Sequence, residues 1–239
     1  MAEGRGISII VPAFNEEQGL EKAVEQTLQT FSDMGLEHEC IIVDDGSTDG
    51  TWAVAQSLDA RFAQVRAVSN GDNKGIGYSF RRGIEGATQE FVVFVPVDNP
   101  LEPDDVEAYL GRMDVCDIVV GCRAERVGYS QFGLFASFVY NRIMVPLLFN
   151  LGISDVNWIQ FYRRALFEDG TLAFESDRIF FLVEILVQAR RKGLIIAEVP
   201  AKMRRRMYGK ATCARFSTMA KTFFEMVRYF IKLQRGTES

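Results

Sequence analysis

With 239 residues and 48% hydrophobic content, the chain can bury one substantial α/β core, and no repeat, low-complexity stretch or linker divides it. Its formal net charge is −5, yet residues 202–235 hold ten Lys or Arg against one acid, a local +9 on a body of −14. A basic tail on an acidic body suits phosphates or an anionic membrane surface, and argues against nucleic acid, which the body would repel and for which no module is present.

Residues 7–12 read as a first buried strand, with Asn15 placed to cap a helix carrying Leu20, Ala23, Val24, Thr27, Leu28 and Phe31 at helical spacing. Residues 39–43 form a second strand, and Thr48 or Asp49 caps a helix to about Phe62. A third strand at 65–69 leads through the glycine-punctuated 71–77 to a helix near 78–87. That glycine stretch does not fit the dinucleotide fingerprint and reads as a turn. The apolar run 91–95 is a fourth strand ending at Pro96-Val97-Asp98, and Pro103 opens the next helix. A further strand spans 117–121 and ends at Arg123. This β-α alternation predicts a mostly parallel sheet flanked by helices, with right-handed crossovers.

The second half is less regular. Residues 132–151 are strongly apolar but interrupted by Asn141, Arg142 and Pro146, which predicts a segment short of a membrane-spanning helix. A helix at 182–192 and a strand at 194–199 follow. The last helix has an apolar stripe of Phe216, Met219, Ala220, Phe223, Val227, Phe230 and Ile231, with Arg215, Lys221, Arg228 and Lys232 off it. Such a helix either packs on the core or lies in a membrane interface. Residues 1–212 are thus expected to form the α/β domain, and 213–239 an amphipathic basic helix and tail.

Several chemistries lose support. The single histidine, His38, precedes the second strand and reads as a surface loop residue. There is no Gly-x-Ser-x-Gly elbow, no clustered Cys/His ligands and no Walker lysine loop. Cys40, Cys116, Cys122 and Cys213 form no Cys-x-x-Cys pair and read as reduced thiols. With no secretory leader expected in residues 2–6, the expectation is a cytoplasmic protein, peripheral on the membrane face.

Two apolar strands stop at acidic residues, and the carboxyl edge of an open α/β sheet is where ligands bind. Asp45 there can accept the ring N–H of a base, or serve the turn that Asp-Gly-Ser-Thr-Asp-Gly favours. Glu16 is equally consistent with an acidic first helical turn. Asp98 ends the most hydrophobic strand between two prolines, and one such carboxylate suffices for a divalent metal that also binds substrate phosphates. The run Arg204-Arg205-Arg206-Met207-Tyr208-Gly209-Lys210 could clamp phosphates.

Taken together, Val-Pro-Ala-Phe-Asn-Glu-Glu, Val-Asp-Asp-Gly-Ser-Thr-Asp-Gly-Thr, Asn73-Lys74-Gly75, Asp117 to Arg123 and Glu198-Val199-Pro200 with Arg206-Met207-Tyr208-Gly209 resemble the family 2 glycosyltransferases of GT-A fold. Within them the chain is similar to the polyprenyl-phosphate, dolichyl-phosphate mannose synthase-like branch, over residues 7–212. The resemblance implies donor contacts at Pro12, Phe14, Glu16, Val43, Asp45, Pro96, Val97, Asp98, Arg123 and Arg206, with catalytic roles for Asp98 and Arg206 and the metal (Mg or Mn) on Asp98. It places the acceptor near Asp155, Gln160, Lys210 and Thr212. The implied reaction moves a hexose with inversion from a nucleotide sugar, of GDP-mannose or UDP-glucose type, to a polyprenyl phosphate. The anionic membrane surface is expected to bind through the C-terminal helix. Alternatives are a soluble hydroxyl acceptor, with Asp155, Glu175 or Asp177 as base, or a nucleotide-sugar-binding partner module. This chain departs from the pattern at Pro96, where the first Asp of Asp-x-Asp stands in the family, at Thr212, where lysine is usual, and at Trp158-Ile159-Gln160.

Overall fold

The structure, a computed structural model, describes residues 6–203 and 216–236. Among the described residues, seven strands make one sheet in the order β3-β2-β1-β4-β6-β5-β7. β1 (Ile7–Ala13), β2 (His38–Asp44), β3 (Val65–Ser69) and β4 (Phe91–Phe94) are parallel, with Ile7 opposite both His38 and Phe91. β5 (Ile118–Arg123) and β7 (Ile196–Ala201) also pair in parallel. β6 (Gln160–Arg163), which the sequence pattern did not reveal, runs antiparallel between β4 and β5. At four residues it is too short for its alternation to stand out.

The order reverses beside β1: the chain steps outward to β2 and β3, then returns to lay β4 on the other flank. The carboxyl ends at such a reversal form the crevice that open α/β sheets use for ligands. Hydrogen bonds carry the pairing past the strand ends, from Asp45 N–H to Ala13 O at 2.8 Å and from Val95 N–H to Ile10 O at 2.9 Å. The β1 and β4 exit loops are therefore fixed where they enter the crevice.

α1 (Leu20–Asp33), α2 (Thr51–Arg61), α3 (Ile76–Gly86) and α4 (Pro103–Met113) connect these strands. Pro103 opens α4 as expected, and Glu102 and Asp105 form a reciprocal capping box there. Asn15 does not cap α1, whose first flanking residue is Gly19. Instead Asn15 takes a left-handed backbone (φ 55°) and accepts from the Thr48 N–H at 2.9 Å. His38 opens β2 and its Nδ1 pairs with Leu36 O at 2.8 Å. Cys40, Cys116 and Cys122 are free thiols, while Cys213 lies outside the described residues.

Apolar clusters line both faces of the sheet. On one, Phe80 of α3 is completely buried among Phe94, Tyr162, Phe174 and Phe181, with ring centroids 5.2–6.1 Å apart. Burying such a ring contributes about 1.5–3 kcal/mol. α3 sits so close to β1 that a Cβ on Gly83 would stand 2.3 Å from Ile10 Cγ2. On the opposite face Tyr109 of α4 stacks on Phe161 at 4.6 Å.

Residues 131–149 correct the expectation of an interrupted segment. α5 (Gln131–Phe138) runs through a π-helical stretch, Val139–Met144, into α6 (Val145–Phe149), forming 19 helical residues of mean hydropathy 1.5. By length and composition alone, it is apolar enough to cross a membrane, and only 11% of it is buried. Asn141 does not break it because its side chain turns inward, and Pro146 directly follows the π-helical stretch, through which the helix continues.

α7 (Ala165–Glu168), α8 (Phe181–Arg191) and α9 (Phe216–Gln234) complete the chain. α9 packs on α6 and α8 through Phe149–Phe230, Phe149–Tyr229 and Phe180–Tyr229, at 5.6–6.1 Å. Its buried face is Thr222, Met226 and Tyr229 rather than the expected stripe, whose Phe223 and Ile231 are exposed. The helix presents aromatic residues on more than one side, so periodicity alone did not choose the inward face.

Candidate active site

Three loops at the carboxyl edge interlock. Asn15 and Glu16 donate backbone N–H groups to Ser47 Oγ at 3.0 Å and Thr51 Oγ1 at 2.8 Å, and Gly50 N–H reaches Glu17 Oε2 at 3.1 Å. The loop after β2 is joined in turn to that after β3. Gly46 is left-handed (φ 69°), and a Cβ on it would meet the Asp72 and Asn73 backbone at 2.4–2.7 Å. Only glycine permits that approach at this backbone angle. Asp49, near the start of α2, accepts from Thr51 N–H at 3.0 Å. Slight burial works against its charge, but the Thr51 hydrogen bonds outweigh it and hold the carboxyl below its usual range.

Asp45 is buried, and both its oxygens face the loop after β3. Oδ1 accepts from Asn70 Nδ2 and Lys74 N–H, and Oδ2 from Gly75 N–H, each at 2.9 Å. The turn reading of this residue is the one the geometry favours: the carboxylate anchors 70–75 instead of standing open to a base. Asp44 is likewise committed, to Ser47 N–H and Ser69 Oγ at 3.2 Å. Val43 is wholly enclosed in the core and Val97 nearly so, so neither offers its side chain to a ligand. Pro12, Phe14, Glu16, Pro96 and Asp98 are part-exposed at the edge, on the exits of β1 and β4. No group of three or more His, Cys, Asp or Glu side chains placed to hold a metal occurs among the described residues.

At the end of β5, Arg123 is 6% exposed and grips Asp155, with Nε to Oδ2 at 2.6 Å and Nη2 to Oδ1 at 2.8 Å. Its remaining donors reach Asn157 O and Tyr129 Oη at 3.3 and 3.2 Å, and its guanidinium lies 4.4 Å over the Trp158 ring. Burial disfavours its charge, but Asp155 and Tyr129 outweigh burial and hold the guanidinium above its usual pKa. The expected phosphate-contacting cation is thus committed to the protein, as a clamp on the segment entering β6. Gln160 is also structural: completely buried, it donates to Val156 O at 3.0 Å and accepts from Tyr162 Oη at 2.7 Å. Arg206, Lys210 and Thr212 lie outside the described residues.

Arg126, Tyr140 and Asn157, which the sequence pattern did not single out, gather around Asp155. Arg126 Nη2 stands 3.4 Å from Asp155 Oδ2. Nothing local announces a cluster assembled from the exits of β5, a π-helical stretch and the entry to β6.

An open, mostly parallel sheet with polar loops at its reversal point defines a class of ligand-binding α/β proteins rather than one chemistry. The particular family follows from the chain itself: the model of glycosyl transferase family 2 matches residues 8–171, so the chain belongs to that family. It is 25% identical over 240 residues to a dolichol-phosphate mannosyltransferase of Pyrococcus furiosus, covering 96% of this chain and 64% of that protein. It is 28% identical over 183 residues to the Bacillus subtilis protein EpsH, covering 72% and 51%. The chain therefore spans between about half and two thirds of the length of these relatives. Glucosyl-3-phosphoglycerate synthase from Mycobacterium tuberculosis, solved with Mn2+, uridine diphosphate and phosphoglyceric acid, superposes with a TM-score of 0.72 at 22% identity. That match covers 95% of this chain and 78% of the synthase, and the shared architecture is the GT-A fold.

Proposed function

We propose that the chain transfers a hexose, with inversion, from a nucleotide sugar to the phosphate of a polyprenyl phosphate at the cytoplasmic face of a membrane. The observation that carries this reading is the pairing of the three carboxylates considered as a base for a hydroxyl acceptor. Asp155 is held by Arg123 and Arg126, Asp177 pairs with Arg81, and Glu175 pairs with Lys232 at 3.0 Å. A hydroxyl acceptor needs a base, whereas a phosphate monoester, with a second pKa of about 6, is already a competent anion near neutral pH. Likeness over nearly the whole chain to a dolichol-phosphate mannosyltransferase supports the same acceptor.

The donor would lie across the exits of β1 and β4, with Pro12, Phe14 and Glu16 toward the nucleoside and Pro96 and Asp98 toward the diphosphate. A divalent metal fits this edge as a partner of the diphosphate. Mg2+ commonly takes one or two protein carboxylates and completes its shell with phosphate oxygens and water, and Asp98 supplies one. Such an ion supplies neutralisation of the charge that gathers on the departing diphosphate. Arg206 is assigned to the same charge by resemblance.

The exposed apolar residues of 131–149, among them Phe132, Phe135, Phe138 and Leu147, support membrane contact. Arg123 and Asp155 flank this helix in sequence and are bonded to one another at one sheet edge. A helix whose two flanks meet suits lying along an interface rather than crossing it. α9 adds Phe223 and Phe224, with basic Lys221 and Arg228 exposed beside them.

A soluble phosphorylated acceptor is the second reading, favoured by the likeness to a synthase solved with phosphoglyceric acid. Calorimetric titration with GDP-mannose and UDP-glucose, with and without Mn2+, tests the donor half. Metal-dependent binding of one donor, lost in Asp98→Ala, is expected. A folded chain that binds neither donor would overturn the proposal.

A further inference from the structure

Buried side-chain polar atoms that lack a hydrogen-bond partner are uncommon in folded proteins. Arg126 Nε, Asn157 Oδ1 and Tyr140 Oη are all atoms of this kind. They are not scattered. Arg126 reaches Asp155 Oδ2 at 3.4 Å, and Asn157 donates its backbone N–H to Asp155 Oδ1 at 3.4 Å. The Tyr140 hydroxyl and the Asn157 side chain face one another closely enough for a hydrogen-bond interaction to lower the phenol, without meeting full hydrogen-bond geometry, and the neighbouring Asn141 accepts the Val156 N–H at 3.1 Å. The group thus sits at the ligand edge of the sheet, between the exit of β5, the entry to β6 and a π-helical stretch. Irregular helical turns of that kind recur at functional sites.

The charge balance around it is uneven. Two guanidinium groups, Arg123 and Arg126, share the single Asp155 carboxylate. The neighbouring acids are engaged elsewhere: Glu198 by Ser154 N–H and Oγ at 2.7 and 3.3 Å, and Glu225 by Ser176 Oγ at 2.7 Å. Burial pushes the Tyr140 phenol up, more than Asn157 lowers it, so Tyr140 remains an O–H donor throughout the neutral range. Arg126 and Tyr140 thus present two N–H and O–H donors, and Asn157 an amide that accepts as placed and donates after a half-turn. That set matches a tetrahedral phosphate monoester, whose anionic oxygens accept from both donors and from the Asn157 amide once it is turned.

We infer that Arg126, Tyr140 and Asn157 form the pocket for the acceptor's phosphate monoester, an inference that rests on the glycosyl transfer to a phosphorylated acceptor proposed above. Asp155 and Arg123 act as positioning residues: they hold the segment that carries Asn157 and orient Arg126. Thr212 and Gln160 stand where the family usually has basic residues, so this chain would replace missing basic positions with a pocket assembled from its own β5–β6 excursion.

The test titrates the full chain with inorganic phosphate, with phosphoglyceric acid in solution, and with farnesyl phosphate carried in neutral phosphatidylcholine vesicles. At least one ester is expected to bind and to compete with inorganic phosphate. Tyr140→Phe, which keeps the ring and its packing, should weaken that binding about three- to tenfold, and Arg126→Ala about tenfold or more. Arg126→Lys should recover part of the loss, since it restores the charge without the Nε–H. Competition by phosphoglyceric acid identifies a soluble acceptor, and competition by the vesicle-borne ester alone identifies a lipid. Wild-type affinity in both Tyr140→Phe and Arg126→Ala, or no competition by either ester, overturns the pocket. Nucleotide-sugar binding, read on the same preparations, is decided separately. If the donor binds and the pocket variants change nothing, this inference fails alone; if no donor binds, the transfer reading fails while the phosphate titration still decides the pocket.

Discussion

Changing Asp45 to asparagine separates two roles that its position at the end of β2 allows. If the carboxylate anchors the 70–75 loop, the loss appears in stability first. Asp45 accepts three hydrogen bonds at 2.9 Å, two of them from the backbone of Lys74 and Gly75. An asparagine oxygen can keep the pair on Oδ1, but its NH2 group then faces the Gly75 N–H, donor against donor. A hydrogen bond to a charged group contributes about 1.5–3 kcal/mol, and one is lost outright while the others become neutral. A net cost of about 2–3 kcal/mol corresponds to a fall in Tm of roughly 4–12 °C for a domain of this size. Calorimetric unfolding of the full chain, with and without nucleotide sugar, measures it. A variant that melts with the wild type yet no longer binds donor would refute the reasoning, because it would place the carboxylate on the ligand.

Other perturbations test the rest of the framework. Arg123→Ala leaves Asp155, 1% exposed at its side chain, with Arg126 at 3.4 Å and two long backbone N–H contacts, and should cost about 3–5 kcal/mol in urea unfolding. An unchanged midpoint would show that the pair contributes nothing. Gly83→Ala should destabilise by about 1–3 kcal/mol through the clash with Ile10, and Ile10→Ala in the same chain should recover part of that loss if the two positions are coupled. Burial raises the Glu39 carboxyl, but hydrogen bonds from Ser8 and Thr88 with the charge of Arg66 outweigh it and leave it below its ordinary 4.5. Its contribution to stability is therefore present above pH 4.5 and lost as pH falls through the lowered folded value. Glu39→Gln should flatten the acid limb of the stability curve; an unaltered limb would assign acid unfolding to other groups.

The first half of the fold was legible because each of β1, β2 and β4 is an apolar run that ends at polar residues, and β3 lies where its boundaries were expected. Those same runs located the ligand edge, since parallel strands bring their exits to one side. Side-chain direction was not legible. Asp45 and Arg123 occupy the positions expected of them, but their partners, Lys74 and Asp155, lie 29 and 32 residues away. Asn141 shows the same limit from the other side. Read locally it interrupts an apolar helix; in the fold it spends its amide on Ser137 O at 2.9 Å and on Val156 N–H, so the helix continues. β6 and the inward face of α9 were missed for a related reason, since one is short and the other is apolar around much of its circumference.

The antiparallel β6 makes the stretch from Arg123 to Gln160 an out-and-back excursion. It leaves the sheet on β5 and re-enters on the adjacent β6, where Ile118 lies opposite Tyr162 and Val120 opposite Gln160. A departure and a return on neighbouring strands can lengthen, shorten or change character without altering the register of β1, β2, β3 and β4. On the proposed reading, the donor-side exits of β1 and β4 and the acceptor-side excursion are thus separate stretches of chain. Exchanging the excursion between relatives of this fold is a route by which one sugar-donor machine could be fitted to a new acceptor, with the Arg123–Asp155 clasp as the fastening to preserve.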